Sequence, residues 1–149
     1  MTQEEKELLL IDLCGRLPYE VIVGYSTKDN PNVLDKIGRV IYVDIRFGMI
    51  QMQSESGTSY GLPPSEFIKP YLRPMSSMTE EEEYEYHQIR KRNSDKSLSL
   101  MDCNDHLQQL LFPIIVGTES IDWLNKKMFD YRGLIHMNLA LEAPNGMYK

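Results

Sequence analysis

The chain has 149 residues, of which 42% are apolar and 26% charged, a composition that is typical of a folded protein and excludes general disorder. A chain of this length buries about two-thirds of its unfolded surface, so it needs no disulfide or metal to hold a core. The formal net charge of −6 argues against a surface built throughout to bind nucleic acid, because phosphate backbones favour clustered Lys and Arg.

The cysteines and the first residues indicate the cellular compartment. Cys14 and Cys103 are far apart, and nothing around them resembles a secreted disulfide framework, so we expect free thiols in a reducing environment. Residues 1–7 are acidic where a signal peptide is basic, and the apolar run 8–11 is too short for a signal core or a membrane span. We therefore expect a cytoplasmic protein without a membrane partner.

The first segment predicts a helix. Thr2 with Glu5 forms a capping-box pattern, and Gly15 is the expected C-cap before Pro18. The apolar face is wide enough to predict a mostly buried helix in which Cys14 is a packed rather than a reactive thiol. This face comprises Leu8, Leu9, Leu10, Ile11, Leu13, Cys14 and Leu17.

Alternating β-rich segments follow and predict five short strands. These are residues 19–25, 37–45, 49–53, 58–62 and 68–72. In the second strand, one face is expected to carry Arg39, Ile41, Val43 and Ile45, and the other Val40, Tyr42 and Asp44. A polar loop at 26–36, a hairpin turn at 46–48 and a helical turn at 63–67 connect the strands. Closely spaced short strands predict a small curved antiparallel sheet or an SH3-like barrel.

Residues 68–79 form a hinge between this β part and a helical part. Pro70 and Pro74 exclude a helix through the hinge, whereas Thr79 with Glu82 starts one by a second capping box.

Beyond the hinge we predict helices at 79–92, at 100–112 and from 117 onward, with a polar linker at 93–99. In the third helix, the face that carries Ile121, Leu124 and Met128 is expected to be buried. The prediction is an α+β fold in which residues 1–74 form a helix plus sheet or barrel. Residues 75–149 form a helical part packed on it as one compact unit.

The densest cluster of functional side chains is Asp130, Tyr131 and Arg132, and the hinge carries a similar pair in Tyr71 and Arg73. An Arg beside a Tyr and an Asp can bind a carboxylate or a phosphate. The structural alternative is an ion pair that ends a helix. If both clusters face one crevice between the two parts, they predict a pocket for a nucleotide-type ligand.

The predicted hairpin raises a different hypothesis. Arg39 and Arg46 lie near Tyr42 and Phe47, the combination that stacks on single-stranded nucleic acid. Asp44 and other acids dilute this basic surface, so we rank nucleic-acid binding behind the other functions.

The sequence contains no nucleophile elbow, Walker loop, dinucleotide fingerprint or zinc-protease motif. Cys103 and His106 are spaced as two metal ligands on one helix face, but no second pair supplies the remaining ligands. We therefore predict no enzymatic activity, no cofactor and no metal site.

Three stretches of the sequence are distinctive: L-L-L-I-D-L-C-G-R-L-P-Y at 8–19, K-P-Y-L-R-P-M-S-S-M-T-E-E-E at 69–82, and I-D-W-L-N-K-K-M-F-D-Y-R-G-L-I at 121–135 with L-A-L-E-A-P-N-G-M-Y at its end. They resemble an uncharacterised protein family of gut Bacteroidales and their phages and mobile elements. Met128 and Asn138 depart from the polar residue and the glycine that the family pattern leads one to expect.

The resemblance implies a context and no activity. Small phage-type proteins without a catalytic motif are commonly interaction proteins, such as inhibitors of a defence system. We therefore expect a non-enzymatic binding protein that acts on a host or defence-system protein in the bacterial cytoplasm. The alternatives are a protein that sequesters a nucleotide signal between its two parts and, behind it, a single-stranded nucleic-acid binder.

Overall fold

A computed structural model of the chain describes residues 1–26, 34–65, 67–101 and 118–148, with the backbone alone for 94–101. In these ranges the elements are α1 (Gln3–Arg16), β1 (Ile22–Tyr25), β2 (Lys36–Asp44), β3 (Met49–Ser54), β4 (Ser59–Leu62), β5 (Ile68–Leu72), α2 (Glu80–Met101), α3 (118–126) and β6 (Leu141–Glu142). The predicted α+β fold, with an N-terminal helix followed by a small sheet and further helices, is confirmed. No described helix combines the length and the apolar character needed to cross a bilayer.

The described strands form one open sheet in the order β4-β3-β2-β1-β5-β6. All neighbouring pairs are antiparallel except β5 and β6, which run parallel. No ladder joins β4 to β5 in the described part of the chain, so the sheet has two edges and is not a closed barrel. Of the two predicted alternatives, the structure therefore has the antiparallel sheet.

A β-bulge in β2 changes which residues reach the core. The register with β3 shifts between Val40 and Tyr42, so that Ile41 is an extra residue on this strand. Val40 and Val43 both point into the core, whereas Ile41 and Tyr42 are exposed. The predicted strict alternation along β2 is therefore wrong past Val40, because a bulge inserts one residue and reverses the faces beyond it.

Helix α1 begins at the predicted capping box, in which Thr2 and Glu5 exchange hydrogen bonds. Gly15 does not end it, because the helix continues to Arg16. A Cβ atom at position 15 would lie 3.1 Å from Nδ2 of Asn125, so this glycine is explained by the close approach of α3.

The predicted apolar face of α1 is only partly right. Leu9, Leu10 and Leu13 are buried in the main core against the sheet, but Ile11 is 52% exposed. Cys14 is half-buried, and burial raises the pKa of its thiol, which disfavours the reactive thiolate.

A buried ion pair occupies the helix face beside these leucines. The guanidinium of Arg16 donates two hydrogen bonds to the carboxylate of Asp12, at 2.7 and 3.0 Å, and both side chains are fully buried. Arg16 Nη2 also donates to the carbonyl of Phe129 at 2.9 Å, and Arg132 Nε lies 3.2 Å from the Asp12 carboxylate. The pair therefore connects α1 to residues that are more than one hundred positions later in the chain.

The hinge forms as predicted. Its first part is β5, and Thr79 and Glu82 make the second capping box, with hydrogen bonds of 3.2 and 3.1 Å. The predicted linker at 93–99 is wrong, because α2 continues without interruption to Met101. Asn93 is buried, and its amide donates to Ser120 Oγ of α3, so tertiary contact favours a helix that its polar sequence did not indicate.

Three predicted features lie wholly or partly outside the described residues. These are the helix at 100–112 beyond Met101, most of the loop at 26–36, and residue 66 of the turn at 63–67.

The C-terminal segment packs along the hinge. In α3, Trp123 and Leu124 are buried, but Ile121 is 42% exposed, so the predicted buried face is right only for Leu124 and Met128. After α3 the chain forms a parallel bridge between Phe129 and Arg73, with backbone hydrogen bonds of 2.8 Å on both sides of it. β6 then pairs with β5 as a parallel neighbouring strand.

Two residues near the C-terminus, Met128 and Asn138, have left-handed backbone conformations. Met128 has φ of 58° and Asn138 has φ of 59°, a region that favours Gly and Asn over other residues. Asn138 also accepts a hydrogen bond of 2.7 Å from the buried side chain of Lys69. Backbone geometry alone would favour Gly at this position, and the hydrogen bond explains why Asn is found there.

We expect Arg16→Met to lower the free energy of unfolding by about 3 to 5 kcal/mol, because it leaves the buried carboxylate of Asp12 with Arg132 as its remaining cation. The double variant Asp12→Leu/Arg16→Met removes both buried charges and should recover much of this loss. Urea unfolding of the three proteins measures both effects. A single variant within about 1 kcal/mol of the wild type would contradict the prediction.

Candidate functional site

The described residues contain no group of three or more His, Cys, Asp or Glu side chains that could hold a metal ion. Cys103 and His106, the pair with metal-ligand spacing, lie outside the described residues.

The two hinge residues make internal contacts. The carbonyl oxygen of Tyr71 accepts a hydrogen bond of 2.9 Å from the hydroxyl of Tyr148, and burial raises the pKa of Tyr148 to about 12. The guanidinium of Arg73 donates to both carboxylate oxygens of Glu82, at 2.8 and 2.7 Å, and lies 4.3 Å from the ring centre of Phe129. The charge of Arg73 is thus matched within the protein.

The cluster at 130–132 is equally engaged. The carboxylate of Asp130 accepts backbone hydrogen bonds from Leu134 and Ile135 and so organises the turn that follows it. The hydroxyl of Tyr131 donates to Asn125, and the guanidiniums of Arg16 and Arg132 lie 5.2 and 5.0 Å from its ring centre. Arg132 itself pairs with Asp12.

A cleft of about 510 Å³ lies between the hinge and the C-terminal segment. Arg73 lines this cleft, but Tyr71, Asp130, Tyr131 and Arg132 do not. The structure therefore does not bring the two predicted clusters into one pocket. Its charged lining residues are Arg73, Glu82, Lys126, Lys127 and Glu142.

Glu82 dominates the electrostatics of this cleft. It pairs with Arg73 at 2.7 Å and with Lys127 at 3.7 Å, and its side chain is 14% exposed. Hydrogen bonds from the Arg73 guanidinium and from the Thr79 amide lower the pKa of Glu82 to about 2. Two of the three cations in the cleft, Arg73 and Lys127, are therefore already paired with a carboxylate.

We expect Glu82→Gln to lower the free energy of unfolding at pH 7 by about 2 kcal/mol, after allowance for solvent screening. Because the folded-state pKa is depressed, this stabilisation is present above pH 4.5 and is lost as the pH falls towards 2. Urea unfolding of the wild type and of Glu82→Gln at several pH values between 2.5 and 7 measures this stabilisation. Glu81→Gln, an exposed neighbour in the same helical turn, is the matched control and should stay within about 0.5 kcal/mol of the wild type. If the difference in unfolding free energy between the wild type and Glu82→Gln stays the same down to pH 2.5, the prediction is wrong.

The four residues of the nucleic-acid hypothesis are exposed on and beyond β2, but they are not equally available. Arg39 pairs with Glu20 at 3.0 Å, and the ring of Tyr42 is about half exposed, at 49%. At the turn, the guanidinium of Arg46 lies 5.4 Å from the ring centre of Phe47. The structure therefore brings together Arg46 and Phe47.

Phe47 belongs to a largely apolar groove between α1 and the β2–β3 turn. Three apolar side chains there are more than half exposed: Ile11 at 52%, Ile45 at 64% and Phe47 at 71%. Leu10, Pro63 and Pro64 complete its apolar lining, and the volume is about 600 Å³. We call this site the hairpin groove.

The sequence prediction missed two features of this region. It placed Ile11 in the core. Residues 9, 12, 13 and 16 follow helical spacing and form the buried face of α1, and position 11 lies outside that face. It also overlooked Asp12 and Arg16, whose spacing of four residues is a recognised signal for an ion pair on a helix. Both errors arose because the apolar residues alone were used to define the buried face.

Comparison of the chain with protein-family models, with curated proteins and with solved structures finds no match. The resemblance to the Bacteroidales and phage family therefore stays a prediction.

Proposed function

We propose that this protein is a non-enzymatic binding protein whose hairpin groove holds an apolar side chain of a protein partner. The observation that carries the proposal is the convergence of Ile11, Ile45 and Phe47, each more than half exposed, on one concave surface. Isolated exposed apolar residues are normal, whereas several that line one groove are typical of an interaction site. Following the family resemblance, we further propose that the partner is a host or defence-system protein.

The groove has the rigidity that binding requires. Its α1 wall is fixed by the buried pair of Asp12 and Arg16, and its turn wall by Asp44, whose carboxylate accepts a hydrogen bond of 3.0 Å from the Phe47 amide. Gly48 has φ of 59°, which closes the hairpin in a conformation that most residues would not adopt. A preformed site loses little conformational entropy on binding, so more of the burial energy contributes to affinity.

The nucleotide alternative has weaker support. The cations predicted to bind the nucleotide are Arg73 and Arg132, and each is paired with a carboxylate in the structure. Replacing Glu82 by a phosphate group would exchange one charge-assisted pair for another and gain little. The hairpin groove needs no such exchange, because its three apolar side chains are 52 to 71% exposed and each gains a part of the roughly 1.5 to 3 kcal/mol that full burial contributes.

The matched variants Phe47→Ser and Tyr84→Ser test the proposal. Both remove an exposed aromatic ring, 71% and 68% exposed respectively, but Tyr84 is on α2, away from the groove. From a bacterial host lysate, wild type and Tyr84→Ser should retain the same protein, and Phe47→Ser should lose it. With the identified partner purified, we expect Phe47→Ser to raise Kd at least tenfold.

Circular dichroism should confirm that both variants fold. If the captured protein binds all three baits equally, or if wild type captures nothing above background, the proposed function is wrong.

A further inference from the structure

Two cations border the hairpin groove and form no ion pair with the described residues. Lys6 from α1 and Arg46 from the turn line it, and no carboxylate of the described residues lies within salt-bridge distance of either. Four other arginines of the described chain, Arg16, Arg39, Arg73 and Arg132, are each paired with a carboxylate. The one acidic lining residue, Glu7, accepts a hydrogen bond of 2.9 Å from Gln3.

The position of Arg46 matters as much as its charge. Its guanidinium stacks on the ring of Phe47, so a positive charge is held directly beside the most exposed apolar side chain of the groove. A ligand that packs on Phe47 therefore meets this guanidinium, and Arg recognises carboxylates through two parallel hydrogen bonds. Lys6 supplies a second positive charge from the α1 wall.

This local charge is opposite to that of the whole chain, whose formal net charge is −6. A large acidic surface would be repelled by the rest of the protein. A short acidic segment would interact mainly with its immediate surroundings, because charges separated by more than about 8 Å are screened at physiological salt. The groove thus favours a narrow acidic ligand.

We infer that the hairpin groove binds an acidic peptide segment of its partner, in which a large apolar side chain stands beside Asp or Glu residues. This inference rests on the proposed function and adds the chemistry of the partner. The apolar side chain packs among Ile11, Ile45 and Phe47, and the flanking carboxylates pair with Arg46 and Lys6. A nucleic acid fits less well, because the groove wall offers one aromatic ring, Phe47, for stacking.

Selection from a random peptide display library on the wild-type protein tests the inference. Enriched peptides should combine a large apolar residue with adjacent Asp or Glu. The same selection on the variant Lys6→Glu/Arg46→Glu should instead enrich Lys or Arg beside the apolar residue.

A fluorescently labelled acidic peptide from the first selection then gives affinities. We expect at least tenfold weaker binding to Lys6→Glu/Arg46→Glu, and weaker binding at high salt. Lys91→Glu/Arg92→Glu makes the same change of charge at two exposed residues of α2 and should bind as the wild type does.

The remaining outcomes distinguish a failure of the acidic inference from a failure of the proposed function. Enrichment of neutral or basic apolar peptides that require Phe47 would overturn the acidic inference and leave the proposed function standing. Enrichment of the same peptides by the wild type and by Phe47→Ser, or no enrichment at all, would overturn both the acidic inference and the proposed function. Equal affinity for a single-stranded oligonucleotide, or a dimer of this chain that Phe47→Ser abolishes, would assign the groove to a different occupant and overturn the inference.

Discussion

The arrangement of the whole protein depends on one buried ion pair, between Asp12 and Arg16 on α1. Arg16 reaches the carbonyl of Phe129, and Arg132 reaches Asp12, so one group of charges fixes the N-terminal helix against the C-terminal segment. Arg16 Nη1 is buried with no partner among the described residues, which costs about 1 to 3 kcal/mol. An apolar contact would avoid that cost, but it would not provide the directional contacts of Arg16 with Phe129 and of Asp12 with Arg132.

This constraint also accounts for where the binding surfaces lie. The residues that seemed most functional, at 71–73 and 130–132, are engaged in contacts within the protein. Because α1 buries the face that contains Asp12 and Arg16, Ile11 is turned outwards towards the β2–β3 turn. The hairpin groove is thus a consequence of the packing that buries Asp12 and Arg16.

Local signals in the sequence predicted local structure well. The capping boxes at Thr2 and Thr79 and the strand of the hinge were found because each depends on residues within four positions. The exposure of Ile11 was missed although the helical spacing of residues 9, 12, 13 and 16 indicates it. The β2 bulge and the continuation of α2 past Asn93 were missed because contacts with distant elements decide them. The candidate site was missed for the same reason: its two walls are more than thirty residues apart, and no periodicity links Ile11 to Phe47.

The hairpin groove is proposed to hold an apolar side chain of a protein partner. A photoreactive phenylalanine analogue placed at position 47, and for comparison at position 84, tests it inside living bacterial cells. We expect irradiation to give one discrete crosslinked product from position 47 and none from position 84. No product from position 47, or the same products from both positions, would contradict the account.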